Sequence, residues 1–353
     1  MQKIHINYSR TLIAQIIQRY DAYKIYSRYY ENDITQKLEF INSPTGIPCF
    51  WYNDDILINS HESKIIFIEV PTEGIHKISV FHNYDSDKKY YIFSNGWWDI
   101  DKWDLKINYE LVFWIDTLYQ YQEQIVNARY VNHYVDKNYY YGVKPYLFCS
   151  TIGTTRTIRS YLVNQIQHNI TDSKFILNYA GQQLGQDSRH WDIDYDFDNY
   201  NSYTPFEQIN GVPYTISQTI PVAMYNQCYF NLIVETSIDI PHQFHLSEKT
   251  LKPIMTGMPF VMIGGVGYLA HLRKLGFKTF SEIWSEDYDA IENTQDRIRE
   301  IIKLIQTLTT FDWKEHQDRL TQITNFNKMH LAYNNTTMIS QLKNFESVMQ
   351  KLL

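Results

Sequence analysis

YFNLIVETSIDIPHQFHLSEKTLKPIMTGMPFVMIG, residues 229–264, holds the change of pattern on which the fold turns. Its first seven residues are mostly apolar and β-branched and read as a buried strand that ends on Glu235. A polar loop follows, then Ser247, a residue type that caps helices, and the run Glu248-Lys249-Thr250. Pro253 lacks a backbone donor and crowds the turn before it, so the helix is expected to start late, near Thr250, or to kink. Gly257 supplies a helix stop, and Pro259 opens a second apolar strand, PFVMIG.

Strand–loop–helix–strand is the repeating unit of a parallel sheet, and the surrounding sequence continues it. KPYLFCS (144–150) and FILNY (175–179) read as strands. TTRTIRSYLVNQIQ (154–167) reads as a helix with a Thr cap, and YLAHLRKLG (268–276) and DRIREIIKLIQTL (296–308) as further helices. Alternation of this kind predicts a sheet covered on both faces that binds ligands at the carboxyl ends of its strands. Upstream, KIIFIEV (64–70), YYIFS (90–94) and ELVFWI (110–115) read as strands, with helices at 11–23 and 118–135. DKNYYYGVKP (136–145) has a Gly, a Pro and no periodicity, so it is the expected linker. The expected organisation is a first lobe over 1–142, a second over 143–335 and a C-terminal helix over 336–353 packing back on the first.

Length and composition agree with that division. A chain of 353 residues exceeds one ordinary core, and 44% hydrophobic with 20% charged residues is a globular profile. Three scattered cysteines, Cys49, Cys149 and Cys228, make no metal spacing and leave one unpaired in any disulfide scheme, which points to a reducing compartment. The first twenty residues lack the apolar core of a signal peptide, and no stretch has the length of a membrane span, so a cytoplasmic protein is expected. A net charge of −7 excludes a surface that grips nucleic acid everywhere.

The chemistry of residues 235–249 is more specific. A helix N-terminus offers free N–H groups and partial positive charge to phosphate, and Lys249 adds a full charge there. Glu248 or Glu235 could accept hydrogen bonds from neighbouring ribose hydroxyls. A nucleoside diphosphate satisfies these groups together.

The run YFNLIVETS (229–237), then SEK (247–249), then GMPFVMIG (257–264) resembles the donor-binding segment of the fucosyltransferase superfamily. That family's pattern is approximately F-x-L-x-F-E-N-S, a loop, T-E-K, a helix and A-G-x-x-P-V-V-x-G. Residues 267–291 also resemble bacterial and phage proteins loosely grouped as glycosyltransferases. The resemblance implies an α/β, GT-B-like fold of two Rossmann-like lobes with an interlobe cleft. It also implies sugar transfer from a nucleoside-diphosphate sugar to an acceptor hydroxyl, inverting and independent of metal, with no further cofactor. It assigns Glu235, Ser237, Ser247, Glu248 and Lys249 to the donor. Arg159, in preference to Arg156, in the strand–loop–helix LFCSTIGTTRTIRSYL, would contact its phosphates. FIEVPTE (67–73) resembles the family's E-S-P motif and makes Glu69 the expected general base, with Asp99 and Asp116 next. Ser247 stands where the pattern has Thr, Thr236 where it has Asn, and Lys252-Pro253 has no counterpart, so the donor sugar stays open.

Other signals compete. Asp192, Asp194, Asp196 and Asp198 alternate with apolar residues, as in a metal-dependent D-x-D transferase or an acidic edge. His242 and His245 are zinc-like in type but match no zinc spacing, so no metal is expected. No G-x-S-x-G, Walker or G-x-G-x-x-G motif occurs. Trp97, Trp98 and Asp99, in NGWWDIDKW, are the expected acceptor contacts, Trp103 belonging to the same cluster, if these rings are not core. The acceptor would be a glycan or, for a phage-encoded enzyme in its host's cytoplasm, a hydroxymethylated DNA base. Lys88, Lys89, Lys102 and Lys106 would then form a basic groove. A non-catalytic nucleotide- or glycan-binding protein is the remaining alternative.

Overall fold

The computed structural model describes residues 4–5, 47–51, 55–60, 62–70, 78–94, 97–98, 105–113, 115, 118, 138–153, 155–171, 173–179, 182–183, 207–209, 212–214, 220–236, 238–239, 243–333 and 336–351. It is an α/β protein with parallel sheets, and the chain divides into two compact units, 1–116 with 335–353, and 117–334.

The first unit contains β1 (Ile4–His5), β2 (Ile47–Trp51), α1 (Asp55–Ser60), β3 (Ile65–Val70), β4 (Lys89–Ser94), β5 (Trp97–Trp98) and β6 (Asn108–Phe113). Its sheet runs β1-β2-β3-β4-β6 with every described pair parallel. Strands buried on both faces need continuous apolar sequence, and Ile65–Ile68 is of that kind, with Glu69 following it. Ile66, Ile68 and Val70 point to one face, where Phe81, Tyr84 and Tyr90 pack on them. On the other face the Phe67 and Phe93 rings meet edge-on at 5.3 Å. The helix over 336–351 belongs to this unit and lays Phe345 against Phe93, ring centroids 6.0 Å apart.

Residues 138–141, expected as part of a linker, belong to the second unit. Tyr139 donates its N–H to the Thr256 carbonyl at 2.9 Å, and Tyr141 shares a hydrogen bond with Thr324 at 2.8 Å, so 138–141 are built into this unit. β7 (Tyr146–Ile152), α2 (Thr157–Asn169), β8 (Ile176–Tyr179), β9 (Gln182–Gln183), β10 (Glu207–Ile209), β11 (Val212–Tyr214) and α3 (Val222–Asn226) follow. Then come β12 (Cys228–Val234), β13 (Gln243–Phe244), α4 (Glu248–Thr256), β14 (Phe260–Ile263), α5 (Tyr268–Lys274), α6 (Thr294–Leu308), α7 (Gln317–Tyr333) and, returning to the first unit, α8 (Thr336–Lys351).

Its sheet has the order β14-β12-β7-β8-β9, parallel except for the short β9. From β7 the chain first moves to β8 on one side and later to β12 and β14 on the other. Right-handed crossovers in opposite directions put α2 and α4 on opposite faces. α2 packs with α6, and α4 with α7. The order therefore reverses between β7 and β12, which opens a crevice at their carboxyl ends. β10 and β11 form a separate antiparallel hairpin.

Two local expectations are corrected. α4 starts at Glu248, with Ser247 accepting from the Lys249 N–H at 3.2 Å, despite Pro253 inside it. A proline at the sixth position removes the donor to the Lys249 carbonyl, in the first turn, and the helix continues past it. The end is as the glycine predicts: Gly257 has φ 79°, and Gly257 and Met258 donate to the carbonyls of Ile254 and Pro253. In α2 the cap position is held by Arg156 and no side chain caps it, in place of the expected Thr. α7, rich in Asn and Thr, escapes periodicity because polar residues face inward. Asn327 is 1% exposed and closes two hydrogen bonds on the Lys278 backbone, at 2.7 and 2.8 Å. Among the described residues no helix is long and apolar enough to cross a membrane.

Candidate functional site

The crevice between β7 and β12 is built from three chain segments. The end of β12 brings Glu235 and Thr236, the start of α2 brings Arg156 and Arg159, and the start of α4 brings Ser247, Glu248 and Lys249.

Glu235 is 2% exposed, and its carboxylate is the hub of the loop. Ser247 donates to Oε2 at 2.6 Å and Thr250 to Oε1 at 2.5 Å. The Tyr268 hydroxyl lies 2.9 Å from Oε1 and 3.1 Å from the His245 carbonyl, one proton shared between two acceptors. Burial first, then the Glu235 charge, raises the Tyr268 pKa, so it stays a donor. Gly264 makes room for this ring, since a Cβ there would stand 2.5 Å from it. A buried charge is tolerated when hydrogen bonds surround it. Glu235 is thus part of the frame, and Glu248 is the carboxylate left within reach of a ligand.

Lys249 Nζ lies 3.1 Å from Glu248 Oε1 and 3.3 Å from Thr236 Oγ1, and about a quarter of each charged side chain is exposed. Burial works against the Glu248 charge, but the Lys249 and Lys252 ammonium groups outweigh it and bring its pKa down to about 2. Burial likewise opposes the charge of Lys249, and the carboxylates of Glu248 and Glu235 overcome it and raise its pKa. Lys252, one turn on, is brought down to about 8 by burial, with Glu248 opposing and Lys249 assisting. Glu248 is already the neighbour of two cations, so an added anion would relieve the repulsion between them.

Arg156 NH1 donates to the Thr236 carbonyl at 2.8 Å, and Arg159 NH2 to the Glu235 carbonyl at 3.1 Å. Arg159 is 3% exposed, whereas Arg156 is half-buried. Burial thus reverses the expected preference: Arg156 is the guanidinium that can reach a ligand, and Arg159 supplies charge from beneath. Arg159 lies close enough to disfavour the Lys249 charge. The structure thus gathers Arg156, Arg159, Lys249 and Lys252 around Glu235 and Glu248, at an uncapped helix start and a strand-order reversal.

Of the other candidates, Glu69 occupies the next-to-last position of β3, paired in register with Phe93, and Trp97 and Trp98 form β5. Asp99, Asp116, Ser237, His242, Trp103, Lys102 and the aspartates 192, 194, 196 and 198 lie outside the described residues. Among the described residues no group of three His, Cys, Asp or Glu side chains could hold a metal ion. His245 is buried with its carbonyl turned to Tyr268. The basic-groove expectation weakens at Lys88, which is 3% exposed and donates to the Asn59 carbonyl at 2.8 Å. Lys89 sits 3.9 Å from Glu110.

Thr250 and Tyr268 were not singled out from sequence. The available signal was a buried-strand Glu followed by hydroxyl residues at 247 and 250, three apart on one helix face. No protein-family model matches the chain, and no curated protein or solved structure matches it either.

Proposed function

We propose that the chain is a glycosyltransferase of the GT-B class that takes its sugar from a nucleoside-diphosphate sugar. The observation that carries this reading is the gathering of Arg156, Lys249 and Lys252, with Arg159 behind them, at the β7/β12 crevice of the second sheet. Open α/β sheets bind nucleotides at such crevices, and helix starts bearing a cation suit diphosphates. Glu248, held ionised beside Lys249, would accept from ribose hydroxyls. The resemblance of residues 229–264 to a donor-binding segment supports the same assignment.

In this reading the acceptor hydroxyl attacks the anomeric carbon as the bond from that carbon to the diphosphate oxygen breaks. Glu69 takes the hydroxyl proton, and Lys249 and Arg156 balance the charge on the departing diphosphate. Trp97, Trp98 and Asp99 contact the acceptor, a glycan in preference to DNA, because Lys88 and Lys89 are engaged within their own unit.

A thermal-shift screen of nucleoside diphosphates and nucleotide sugars tests it. At about 100 times its dissociation constant, a true ligand adds roughly 2.7 kcal/mol of stability. Wild type is expected to respond to one nucleotide series and Lys249→Ala to lose the response. An equal response from both proteins rejects the site. Binding without release of nucleoside diphosphate from any nucleotide sugar rejects the transferase.

A further inference from the structure

A second cavity, of about 320 Å³, lies in the same unit at the opposite end of β12. Its walls are aromatic: Tyr229 near the start of β12, Trp313 from the turn between α6 and α7, and Tyr139 and Tyr141 from the segment before β7. Lys314 and Gln317 add polar groups, and Leu320 lines it from α7. Nothing in the proposed donor chemistry uses it.

Hydrogen bonds tie down the hydroxyl ends of two of these walls, and Lys144 Nζ stands over the Tyr139 ring, 4.6 Å from its centroid. The Tyr139 hydroxyl lies 3.0 Å from the Cys228 carbonyl and 3.2 Å from that of Tyr229. The Tyr141 hydroxyl is engaged with Thr324 at 2.8 Å. Burial raises both phenol pKa values, that of Tyr141 to about 12, so neither ring carries charge at neutral pH. Tyr229 and Trp313 stack on one another, centroids 4.7 Å apart and planes 14° apart. Tyr139 and Tyr141 meet edge-on at 5.0 Å and 84°.

These angles discriminate between ligands. A flat base needs an open slot between parallel rings, and the parallel pair here is already closed upon itself. An aromatic wall beside side-chain amide and ammonium groups suits a chair-shaped ring, whose apolar C–H face rests on the rings while its hydroxyls reach the polar groups. Gln317 can both donate to and accept from such hydroxyls, and Lys314 can donate. The volume is at the lower end of the range for small-molecule sites, roughly 300–1,000 Å³, which fits one ring in place of a chain of them. We propose that this cavity is a carbohydrate-binding site that holds a single pyranose ring, separate from the crevice at the carboxyl ends of the strands.

Saturation-transfer NMR of the whole protein, with methyl α- and β-glycosides of the common hexopyranoses and with free adenine and uracil as comparators, tests the assignment. Saturation is expected on the C–H protons of at least one glycoside at millimolar concentration. It should disappear in Gln317→Trp, where the new ring fills the cavity, and persist in Lys249→Ala. That split keeps this site distinguishable from the proposed donor site, whose failure would leave the glycoside signal intact. The idea is overturned if no glycoside receives saturation, if Gln317→Trp leaves the signal unchanged, or if only the bases bind. Should Gln317→Trp not fold, Lys314→Ala at the exposed position beside it serves, with at least a several-fold weaker glycoside signal expected. An unchanged signal there rejects the site.

Discussion

At its carboxyl end β12 delivers Glu235 and Thr236 into a set of hydroxyls, guanidinium groups and an ammonium; at its amino end it delivers Tyr229 into a set of aromatic rings. One strand of seven residues therefore joins two chemically opposite neighbourhoods. The difference follows from topology. Strand order reverses beside the carboxyl end, so two loops and two helix starts converge there, and their unpaired backbone groups and partial charges call for polar company. The amino end is met by the α6–α7 turn, the first turn of α7 and the segment before β7, which bring mainly aromatic side chains. Charge chemistry belongs to the first place and shape-based binding to the second.

Removing the hub of the polar end should have the largest effect on stability. Glu235→Ala strips the acceptor from Ser247, Thr250 and Tyr268 and leaves a void, and a loss of about 3 kcal/mol is expected in urea unfolding. Loss within about 0.5 kcal/mol of zero, the usual range for surface changes, would mean that the carboxylate is not the buried hub described.

At the aromatic end, Trp313→Ala removes a half-buried ring stacked on Tyr229 and should cost about 2 kcal/mol, less than a fully buried tryptophan. Its nucleotide affinity, measured by calorimetry, should match wild type. A nucleotide affinity that falls as far as in Lys249→Ala would join the two ends into one site and break the comparison.

The smallest effect is in the pH dependence. Lys252 titrates near 8 in the folded protein against 10.5 unfolded, so its charge opposes folding below pH 8 and the penalty is released between pH 8 and 10.5. A bound diphosphate restores that charge. Nucleotide binding near pH 8 to 9 should therefore take up protons, and affinity should fall by no more than about tenfold per pH unit there. Lys252→Met should flatten this slope in calorimetry run in buffers of different ionisation enthalpy. Glu248 runs the other way: its pKa is depressed from 4.5 to about 2, so its contribution is present above pH 4.5 and lost as pH falls toward 2. A proton count of zero at pH 8.5 in wild type would remove Lys252 from the site.

Much of the polar end was legible. Ser247 as cap, Gly257 as stop and the Glu248-Lys249 pair at the helix start are local features, decided within one turn of chain. The same reading could not see that Glu235 would be buried under three hydroxyls, because Tyr268 reaches it from thirty-three residues away. It also ranked Arg159 above Arg156, the reverse of the order that burial gives, because the two share a helix start and differ in which side of it faces the sheet. The aromatic end was not legible at all. Tyr139, Tyr229 and Trp313 are far apart in sequence, and Tyr139 fell in a stretch that reads as linker because it lacks periodicity.

By itself the sequence determined the α/β class, most strands and helices of the second unit, and the presence of cation and carboxylate at one helix start. These depend on side-chain period, capping and β-branching, which act between neighbours. Only the tertiary structure decided the strand order, the reversal between β7 and β12, the interior place of Glu235 and the ring-walled cavity. Each of those requires segments tens of residues apart to meet, and the free energy that brings them together comes from burial shared across the whole unit.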